Sequence, residues 1–438
     1  MQFCVLKFDY TYWSSPVKNQ KLIDVSPKTI SDKFFSYNTI SDTWKAENPT
    51  NTMTSGTGYI IRSPQDFLVT DPSTFEAVFR GIPFNGKVNL KSGKLNGFNL
   101  IGNPYSSAIS ADSFLLKNKS NISGALYFWT HNTPFANNKY TSDDYATYNL
   151  MGGVGTRAIS SGLNETIPNG SIASGQAFFV LNKNSEKIDF ENSMRIPGKN
   201  GTFFKPSKTD NATVEKHRIW LNLKNSDGVF KQILIGYATG ATNSYDSNYD
   251  AQSINGNKFV NFFSINENKN LVIQGRSLPF DSNDKIDLGY LTTIAGNFTI
   301  SIDHVDGDLK NQSVYLEDKS TNILHDLTAV DYSFSTSIGT FKDRFVLHYV
   351  DNSLETKDFQ NPGNAVLISV KNKIIQLNAA KENLKEVTIY DLSGKVLYTK
   401  KKIANAEFEI NLSSSPNQVL LVKTTLENGN TTTNKIIF

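Results

Sequence analysis

Cysteine is almost absent from this sequence of 438 residues, which has a single one, Cys4. A disulfide within the chain is therefore impossible, and the fold depends on buried apolar side chains for its stability. Long apolar runs are missing as well, since no stretch approaches the roughly 18 residues that a membrane-spanning helix needs. The sequence thus favours neither a disulfide-linked scaffold nor a helical membrane protein.

Neither sign of charge is in excess, because 44 lysines and arginines stand against 41 aspartates and glutamates, for a formal charge of +3. The last segment, 366–438, contributes +4 of this charge, with ten lysines against six acidic residues. Proteins that bind polyanions usually concentrate many more basic residues on one face. We therefore expect no nucleic-acid partner.

Signatures of catalysis are also missing. The five histidines lie far apart, without the H-x-x-x-H or H-x-H spacing of a zinc site, and the sequence contains no G-x-S-x-G motif. Cys4 lies close to residue 1, which is a poor position for a nucleophile that a base must orient. The sequence therefore predicts a protein that is not an enzyme and has no cofactor, with bound calcium left open.

Short runs of alternating apolar residues fill most of the chain, and Gly, Asn, Ser and Thr separate them at intervals of about ten residues. This spacing predicts an all-β fold made of β-sandwich domains in series, jelly-roll or immunoglobulin-like, ending in a small immunoglobulin-like domain. A helix is expected only at residues 111–116, where Ser110 is placed to cap it.

Two polar stretches divide the chain into predicted domains. The first stretch, 199–213, separates a domain at 1–198, truncated at its start, from a second sandwich at 213–350. The second stretch precedes a C-terminal domain at 366–438 and contains an Asn-Pro-Gly-Asn sequence that a processing protease would reach easily.

The C-terminal domain carries four motifs that occur together in one known family. Residues 387–395 match V-x-I-Y-D-x-S-G-K, 410–412 match I-x-L, 419–423 read V-L-L-V-K, and 435–437 read K-I-I. In this order the motifs resemble the type A-like C-terminal sorting domain of substrates of the Bacteroidetes type IX secretion system. The resemblance covers the whole final segment of the chain.

The segments ahead of that domain have a resemblance of their own. The runs W-S-S-P-V at 13–17, N-L-I-G-N-P-Y at 99–105 and G-Q-A-F-F-V at 175–180 resemble β-sandwich modules of large Bacteroidetes surface proteins. The block 213–350 also resembles a module that commonly precedes the sorting domain. These likenesses imply where the protein acts and leave its activity open.

The sorting-domain resemblance implies a route of export. The protein would cross the periplasm and pass the outer-membrane translocon, which recognises the domain through a shuttle protein, and would end secreted or on the cell surface. Removal of the domain would accompany attachment to a surface glycan or lipopolysaccharide, or release. The residues that match the sorting signal are Ile389, Tyr390, Asp391, Gly394, Lys395, Val422, Lys435, Ile436 and Ile437.

An export signal is expected ahead of such a protein, yet residues 1–10 do not supply one. A signal peptide has a basic segment followed by roughly 7–15 apolar residues. Lys7 and Asp9 interrupt that pattern here. We therefore expect the natural chain to begin before residue 1.

Two acidic clusters are candidate calcium sites. Asp303, Asp306 and Asp308 flank Gly307 and offer hard oxygen ligands, although the same residues suit a plain turn between a strand ending at residue 302 and one starting at 313. The spacing is not that of an EF-hand. Asp246 and Asp250 form the second pair, in a loop whose two tyrosines could stack on a sugar. Ordinary loop formation is the alternative for both.

Tryptophan supplies the remaining candidate. The four tryptophans lie in or near strand patterns, where burial in a core is expected. Burial in a core is the first expectation for Trp44 too, but its surroundings are polar, so it is the best candidate of the four for the alternative, a platform on which a carbohydrate stacks.

These observations predict an exported cell-surface or secreted protein that is non-enzymatic, adhesin-like or structural, and is carried by type IX secretion. The alternative is a carbohydrate- or calcium-binding accessory part of a larger secreted enzyme. The sequence names no ligand for either.

Overall fold

A computed structural model describes residues 2–130, 135–136, 139–140, 145–156, 167–184, 186–198, 214–254, 259–350, 366–371, 373–379, 382–412 and 418–438. The chain divides into two compact units, Met1–Asp351 and Asn352–Phe438, called here the larger and the smaller unit. Strands make up most of the regular structure in each, so the predicted all-β fold is confirmed.

The first part of the larger unit contains many short strands. These elements are β1 (Gln2–Val5), β2 (Tyr10–Trp13), α1 (Leu22–Val25), β3 (Phe34–Asn38), β4 (Thr43–Ala46), β5 (Tyr59–Arg62), β6 (Ser73–Glu76), β7 (Val88–Lys91), β8 (Phe98–Gly102), β9 (Ala108–Ser110), α2 (Ala111–Asn118), β10 (Ile122–Trp129), β11 (Phe135–Ala136), β12 (Lys139–Tyr140), β13 (Tyr145–Asn149), β14 (Gly152–Val154), β15 (Ser171–Ile172), β16 (Ala177–Asn182), β17 (Lys187–Phe190) and β18 (Arg195–Ile196).

The second part of the larger unit has longer strands. They are β19 (Lys216–Asn225), β20 (Phe230–Ala238), β21 (Ala251–Gln252), β22 (Val260–Asn266), β23 (Lys269–Ser277), β24 (Lys285–Thr292), β25 (Gly296–Asp306), β26 (Tyr315–Asp318), β27 (Ile323–Asp326), β28 (Tyr332–Thr336) and β29 (Gly339–His348). Short 3₁₀ turns occur at Asn192–Met194 and Gly307–Asn311.

Three sheets contain most of the strands of the larger unit. Strands β2, β5, β3 and β4 form a four-stranded sheet in that order, and β14, β13, β10, β16 and β8 form a five-stranded one. The eleven-stranded sheet has the order β27-β26-β29-β24-β22-β23-β20-β19-β25-β28, with β21 paired to β23. The pairing of β20 with β23 is parallel, whereas the other ladders of this sheet are antiparallel.

The predicted helix is confirmed as α2. The Ser110 hydroxyl oxygen accepts the backbone N–H of Ser113 at 3.2 Å, which satisfies one of the free donors of the first turn. Phe114 and Leu115 are buried on the inner side of the helix. They pack in a cluster with Phe178 and Phe190 from neighbouring strands, which holds the helix against the sheet.

One hydrophobic core extends across both parts of the larger unit. Its cluster includes Tyr127 and Met151 from the first part and Trp220, Leu234 and other residues from the second. The predicted boundary at 199–213 lies outside the described residues. The predicted domains 1–198 and 213–350 therefore form one compact unit, because each covers apolar surface of the other.

Close backbone approaches strengthen this junction. A Cβ at Gly124, whose φ is +68°, would overlap with the carbonyl oxygen of Ser247 in the second part. Only glycine accepts both that conformation and that approach at little cost. The indole N–H of Trp220 also donates to the carbonyl of Gly153 at 2.7 Å. Hydrogen bonds of this kind fix the two parts in one arrangement.

The smaller unit is a two-layer sandwich. Its strands are β30 (Val366–Lys371), β31 (Ile374–Ala379), β32 (Leu384–Asp391), β33 (Val396–Asn405), β34 (Glu407–Asn411), β35 (Val419–Leu426) and β36 (Thr431–Ile437). A sheet of β30, β31 and β34 and a sheet of β33, β32, β35 and β36 contribute to a single core. Side chains along β31 alternate between buried and exposed, as a half-buried strand requires. The predicted linker at 351–364 lies outside the described residues.

Candidate functional site: an aromatic groove

An open groove on the larger unit is lined almost completely by aromatic rings. Its volume is about 490 Å³, which lies within the range of roughly 300–1,000 Å³ typical of small-molecule sites. The residues that line it are Tyr10, Tyr12, Phe35, Tyr37, Asp42, Trp44, Ile60, Phe98, Trp129, Tyr145, Phe179 and Ile254. We call this set the aromatic groove.

Strand geometry explains why these side chains meet. Tyr10 and Tyr12 are two residues apart on β2, as are Phe35 and Tyr37 on β3, so each pair lies on one face of its strand. β3 and β4 pair with Tyr37 opposite Trp44, which brings that ring to the same face. The four-stranded sheet thus forms one wall of the groove, and β8, β10, β13 and β16 supply residues from the five-stranded sheet.

The rings of the groove support one another. Tyr37 packs edge-on against Phe179, with ring centroids 4.8 Å apart, and against Trp44 at 5.2 Å. Tyr12 stacks on Trp129, with 15° between the ring planes. Tilted and offset contacts of this kind are the favoured geometries for aromatic pairs. The wall is therefore a packed surface whose rings are held in place without a ligand.

Trp44 is the most open tryptophan of the chain. Its exposed fraction is 43%, against 1% for Trp13 and 4% for Trp220, both of which lie in cores. The structure places Trp44 on the groove and not in a core, so of the two alternatives that the sequence left open for this residue, burial does not apply. The open face of this indole is part of the groove surface, where a bound ligand would contact it.

The polar atoms of the groove are few and specific. The Tyr37 hydroxyl donates a short hydrogen bond to Asp42 Oδ1, and the hydroxyls of Tyr12 and Tyr145 lie 2.7 Å apart. Burial, together with the hydrogen bond to Asp42, raises the pKa of Tyr37, so this phenol keeps its proton at neutral pH. The aromatic rings of such a site can stack on the apolar face of a ligand ring, and its polar atoms can bind hydroxyl groups of the ligand at the rim.

The candidate calcium residues around Gly307 have different partners in the structure. β25 continues to Asp306, so Asp303 and Asp306 lie on a strand and not on the predicted turn. The Nε of Arg218 donates to both oxygens of Asp306, at 3.0 and 3.2 Å. Asp303 accepts from the Asn222 amide at 3.1 Å. These two carboxylates are thus occupied by protein donors.

In the described part of the chain, one group of three acidic or histidine residues has its ligand atoms close enough together to hold an ion. Asp308 is a member of this group. Its other members are Glu215 and His217. The backbone N–H of Asp308 donates to Nδ1 of His217 at 2.9 Å, so a neutral ring carries its proton on Nε2. That nitrogen lies 3.2 Å from Glu215 and acts as a hydrogen-bond donor to it. The arrangement favours a structural histidine over a metal ligand.

The other candidate pair is part of a loop that stabilises itself. Asp250 is fully buried and accepts the backbone N–H groups of Asp246 at 2.7 Å and Gly275 at 2.9 Å. Asp246 in turn accepts the N–H of Asn248 at 2.9 Å. Burial raises the pKa of Asp250 to about 7. The carboxyl group of Asp250 therefore anchors the loop to β23. The two tyrosines of this loop, Tyr245 and Tyr249, do not line the aromatic groove.

Asp250→Asn is expected to lower the free energy of unfolding by about 1–3 kcal/mol, because an amide cannot accept both backbone N–H groups. The native group has a folded-state pKa above its unfolded value of about 3.9, so the stability that it contributes falls as the pH rises from about 4 to about 7. The difference between native protein and variant should shrink over that window. Urea unfolding of both proteins at several pH values measures this difference. Plots of unfolding free energy against pH that run parallel for the two proteins would contradict the raised pKa of Asp250.

The residues of the predicted sorting signal lie together in the smaller unit. Ile389 and Val422 are buried and face each other across β32 and β35. Asp391 accepts from the backbone N–H groups of Ser393 and Lys395, at 2.9 and 3.0 Å, and Gly394 has a φ of +83°. The hydrogen bond from the Ser393 hydroxyl, with that from the Lys395 N–H, lowers the pKa of Asp391. These contacts close a hairpin of β32 and β33, which is formed by the motif at 387–395.

The last part of the signal forms the edge strand β36. Lys435 and Ile436 pair with Leu421 and Leu420 on β35, and Tyr390 is the β32 neighbour of Leu421. Ile437 continues the ladder opposite Val419. An Asn-Gly turn precedes this strand, with Gly429 at a φ of +88°.

Sequence reasoning identifies only one residue of the aromatic groove, Trp44. The remaining signal is the repeated placement of aromatic residues two positions apart, as at Tyr10 and Tyr12. That pattern also occurs in buried strands, so it indicates a half-buried face without separating a core from a groove. No helix in the described ranges has the length and apolar character needed to cross a membrane.

Comparisons with known proteins give limited information. Among solved structures, Tp47, the 47-kilodalton lipoprotein of Treponema pallidum, aligns with 51% of this chain and 87% of its own at 8% identity, with a TM-score of 0.15. A biofilm-associated protein, BSP domain, aligns with 99% of this chain and 90% of its own at 12% identity, with a TM-score of 0.14. Scores this low support no inference about fold or function.

No curated protein matches the chain. Two sequence families do, and their match ranges meet close to the division between the two compact units. Residues 354–438 match the family described as "Domain of unknown function (DUF8694)". Residues 3–349, the greater part of the chain, match "Domain of unknown function (DUF8693)", and the chain belongs to that family.

Proposed function

We propose that this chain is an exported, non-enzymatic, adhesin-like protein that binds a carbohydrate in the aromatic groove of its larger unit. The observation that carries the proposal is the open indole of Trp44 within a rigid aromatic wall. The flat apolar faces of sugar rings suit such surfaces, and hydroxyl groups suit the few polar atoms at the rim. An aromatic residue at the centre of a binding site often supplies much of the affinity.

A cell-surface or secreted location fits this activity. The motifs of the smaller unit resemble a type IX sorting domain, and their residues form the hairpin and the edge strand β36. We propose that the smaller unit delivers the chain through the outer-membrane translocon and that the larger unit meets the glycan outside. Partners of the delivery step would be the translocon and its shuttle protein, with attachment to lipopolysaccharide or release afterwards.

The calcium-binding alternative has less support. Of the five candidate aspartates, Asp250 and Asp306 are held by backbone or arginine donors, and Asp308 lies beside a histidine that donates from Nε2. An aromatic groove for glycans needs no metal. In the other alternative, the chain is a carbohydrate-binding accessory part of a larger secreted enzyme and uses the same groove. It differs from our proposal only in that the chain is joined to a catalytic domain.

Trp44→Ala is expected to weaken binding about tenfold or more, because the variant loses the ring on which the sugar would stack. The full chain and the variant would be tested on an array of neutral and acidic oligosaccharides, and the best ligand would then be titrated by calorimetry. Leu116→Ala, which removes an exposed apolar side chain from α2, is the matched control and should bind like the native protein.

Two outcomes would refute the proposed binding activity. One is native protein that binds no oligosaccharide on the array, and the other is equal affinity in the Trp44→Ala variant. Binding of a proline-rich peptide in place of sugars would also refute it, since aromatic-lined grooves of other proteins take such peptides.

A further inference from the structure

Asp42 is the one charged side chain among the described residues that line the aromatic groove. It lies on the turn between β3 and β4, two residues before Trp44 on the exposed side of the sheet. Its Oδ1 accepts the Tyr37 hydroxyl, and the described residues supply no partner for Oδ2. The groove therefore has one negatively charged hydrogen-bond acceptor, the Asp42 carboxylate, beside its most open ring, that of Trp44.

The backbone at Asp42 has a φ of +56°, in the left-handed region. Glycine adopts this region most readily, and aspartate is one of the few other residues that tolerate it. The turn is already shaped by Asn38, whose side-chain oxygen accepts the N–H groups of Ile40 and Ser41 at 3.0 and 3.3 Å. Asn38 thus supplies side-chain hydrogen bonds that shape the turn, whereas the bonded partner of the Asp42 carboxylate is the Tyr37 hydroxyl in the groove.

Basic side chains do not neutralise this carboxylate within the described part of the chain. Lys45, the closest lysine in sequence on the same hairpin, pairs with Glu47 at 3.0 Å. Lys33 pairs with Asp32 at 2.6 Å. A ligand in the groove would meet an uncompensated negative charge at the rim, where it can accept hydrogen bonds from hydroxyl groups.

We propose that Asp42 determines the specificity of the aromatic groove, by selecting neutral sugars over sugars that carry carboxylate or sulfate groups. This inference rests on the proposed function. A neutral sugar can donate hydroxyl hydrogens to Oδ2 while its ring stacks on Trp44. An anionic sugar brings a second negative charge to the same rim, and like charges at close range repel one another.

The test compares a neutral oligosaccharide that the native protein binds with a uronic-acid oligomer of the same length and linkage. The native protein should prefer the neutral ligand by about fivefold to tenfold at low salt. That preference should shrink as salt is added, because the charges at the rim are exposed. Asp42→Asn should lose most of the preference while it still binds the neutral ligand a few fold more weakly.

Two further variants make the result decisive. Asp42→Gly places at φ +56° the residue that adopts this conformation most readily, so the variant should unfold at a urea concentration no lower than the native protein while losing the same preference. Asp331→Asn removes one negative charge outside the groove lining and should keep the native preference.

The outcomes separate this inference from the function on which it rests. If the native protein binds neither ligand, or if Trp44→Ala binds as well as the native protein, the proposed function fails and the inference with it. If the native protein binds and Asp42→Asn keeps the same preference for the neutral ligand, the inference alone is overturned.

Discussion

Replacing Asp318 with alanine should lower the free energy of unfolding of the larger unit by about 3–5 kcal/mol, which is the usual cost of removing one member of a buried ion pair. The Asp318 side chain is fully buried at the end of β26. It accepts from Nε and Nη2 of Arg344, at 3.1 and 2.8 Å, and from the Tyr332 hydroxyl at 2.9 Å. Alanine would leave the Arg344 charge in this site without its counter-ion.

The environment of Asp318 shows that the pair is well compensated in the native protein. Burial alone would raise the pKa of its carboxyl group, but the hydrogen bonds from Arg344, Ser320 and Tyr332 outweigh burial and lower it. The Arg344 guanidinium also lies over the rings of Phe334 and Phe345, at 4.6 and 4.9 Å. Without Asp318, the guanidinium would keep these apolar neighbours and lose its counter-ion.

Tryptophan fluorescence during urea unfolding would measure this change, because all four tryptophans lie in the larger unit. Asp331→Ala is the matched control. Asp331 pairs with Lys224 at 3.4 Å on the surface, where both side chains are about half exposed, and such pairs contribute about 0–1 kcal/mol. A loss at Asp318 no greater than at Asp331 would contradict the assigned role.

Deletion of residues 435–438 should abolish display of the protein on the cell surface. The deletion removes half of β36, including Ile436, and with it the buried Phe438. Phe438 and Gln418 exchange two backbone hydrogen bonds, at 2.9 and 3.0 Å, that close this end of the sheet. Without these residues, β35 has no paired strand at this end of the sheet. The translocon would then not meet the folded domain that we propose it recognises.

The measurement is digestion by an external protease of intact cells of a host that has a type IX secretion system and expresses the chain from its own gene. The external protease should digest the native protein. The deletion variant should remain inside the cells, protected from that protease, or be degraded by proteases of the cell before any is added. Trp44→Ala is the control, because it alters the groove and leaves the smaller unit unchanged, so it should reach the surface normally. Normal display of the deletion variant would refute the proposed delivery role.

Local sequence signals predicted the elements that depend on neighbours in the chain. Ser110 caps α2 because its hydroxyl reaches a donor three residues away, and Gly394 of the 387–395 motif closes a turn whose two strands lie directly on either side of it. In each case the interaction that decides the structure spans a few residues. Propensity and periodicity carry that information without any knowledge of the tertiary fold.

The aromatic groove and the ion pairs depend on distant residues, and the sequence could not place them. Tyr10 and Ile254 line the same groove although well over two hundred residues separate them. Asp306, a candidate calcium ligand by its local spacing, is bound by Arg218 from another strand, 88 residues away. Only the pairing of β19 with β25 brings those side chains together, and that register is invisible in a single sequence.

The core that runs across the larger unit has a consequence for dissecting the protein. A cut between residues 198 and 214 would yield two fragments of one fold, each with an apolar face that the other normally covers. Met151, for example, is fully buried in that shared core, and its side chain lies against Gly236 of the second part. Separately produced halves should therefore aggregate alone and recover a native-like state only when they are refolded together, as complementing fragments.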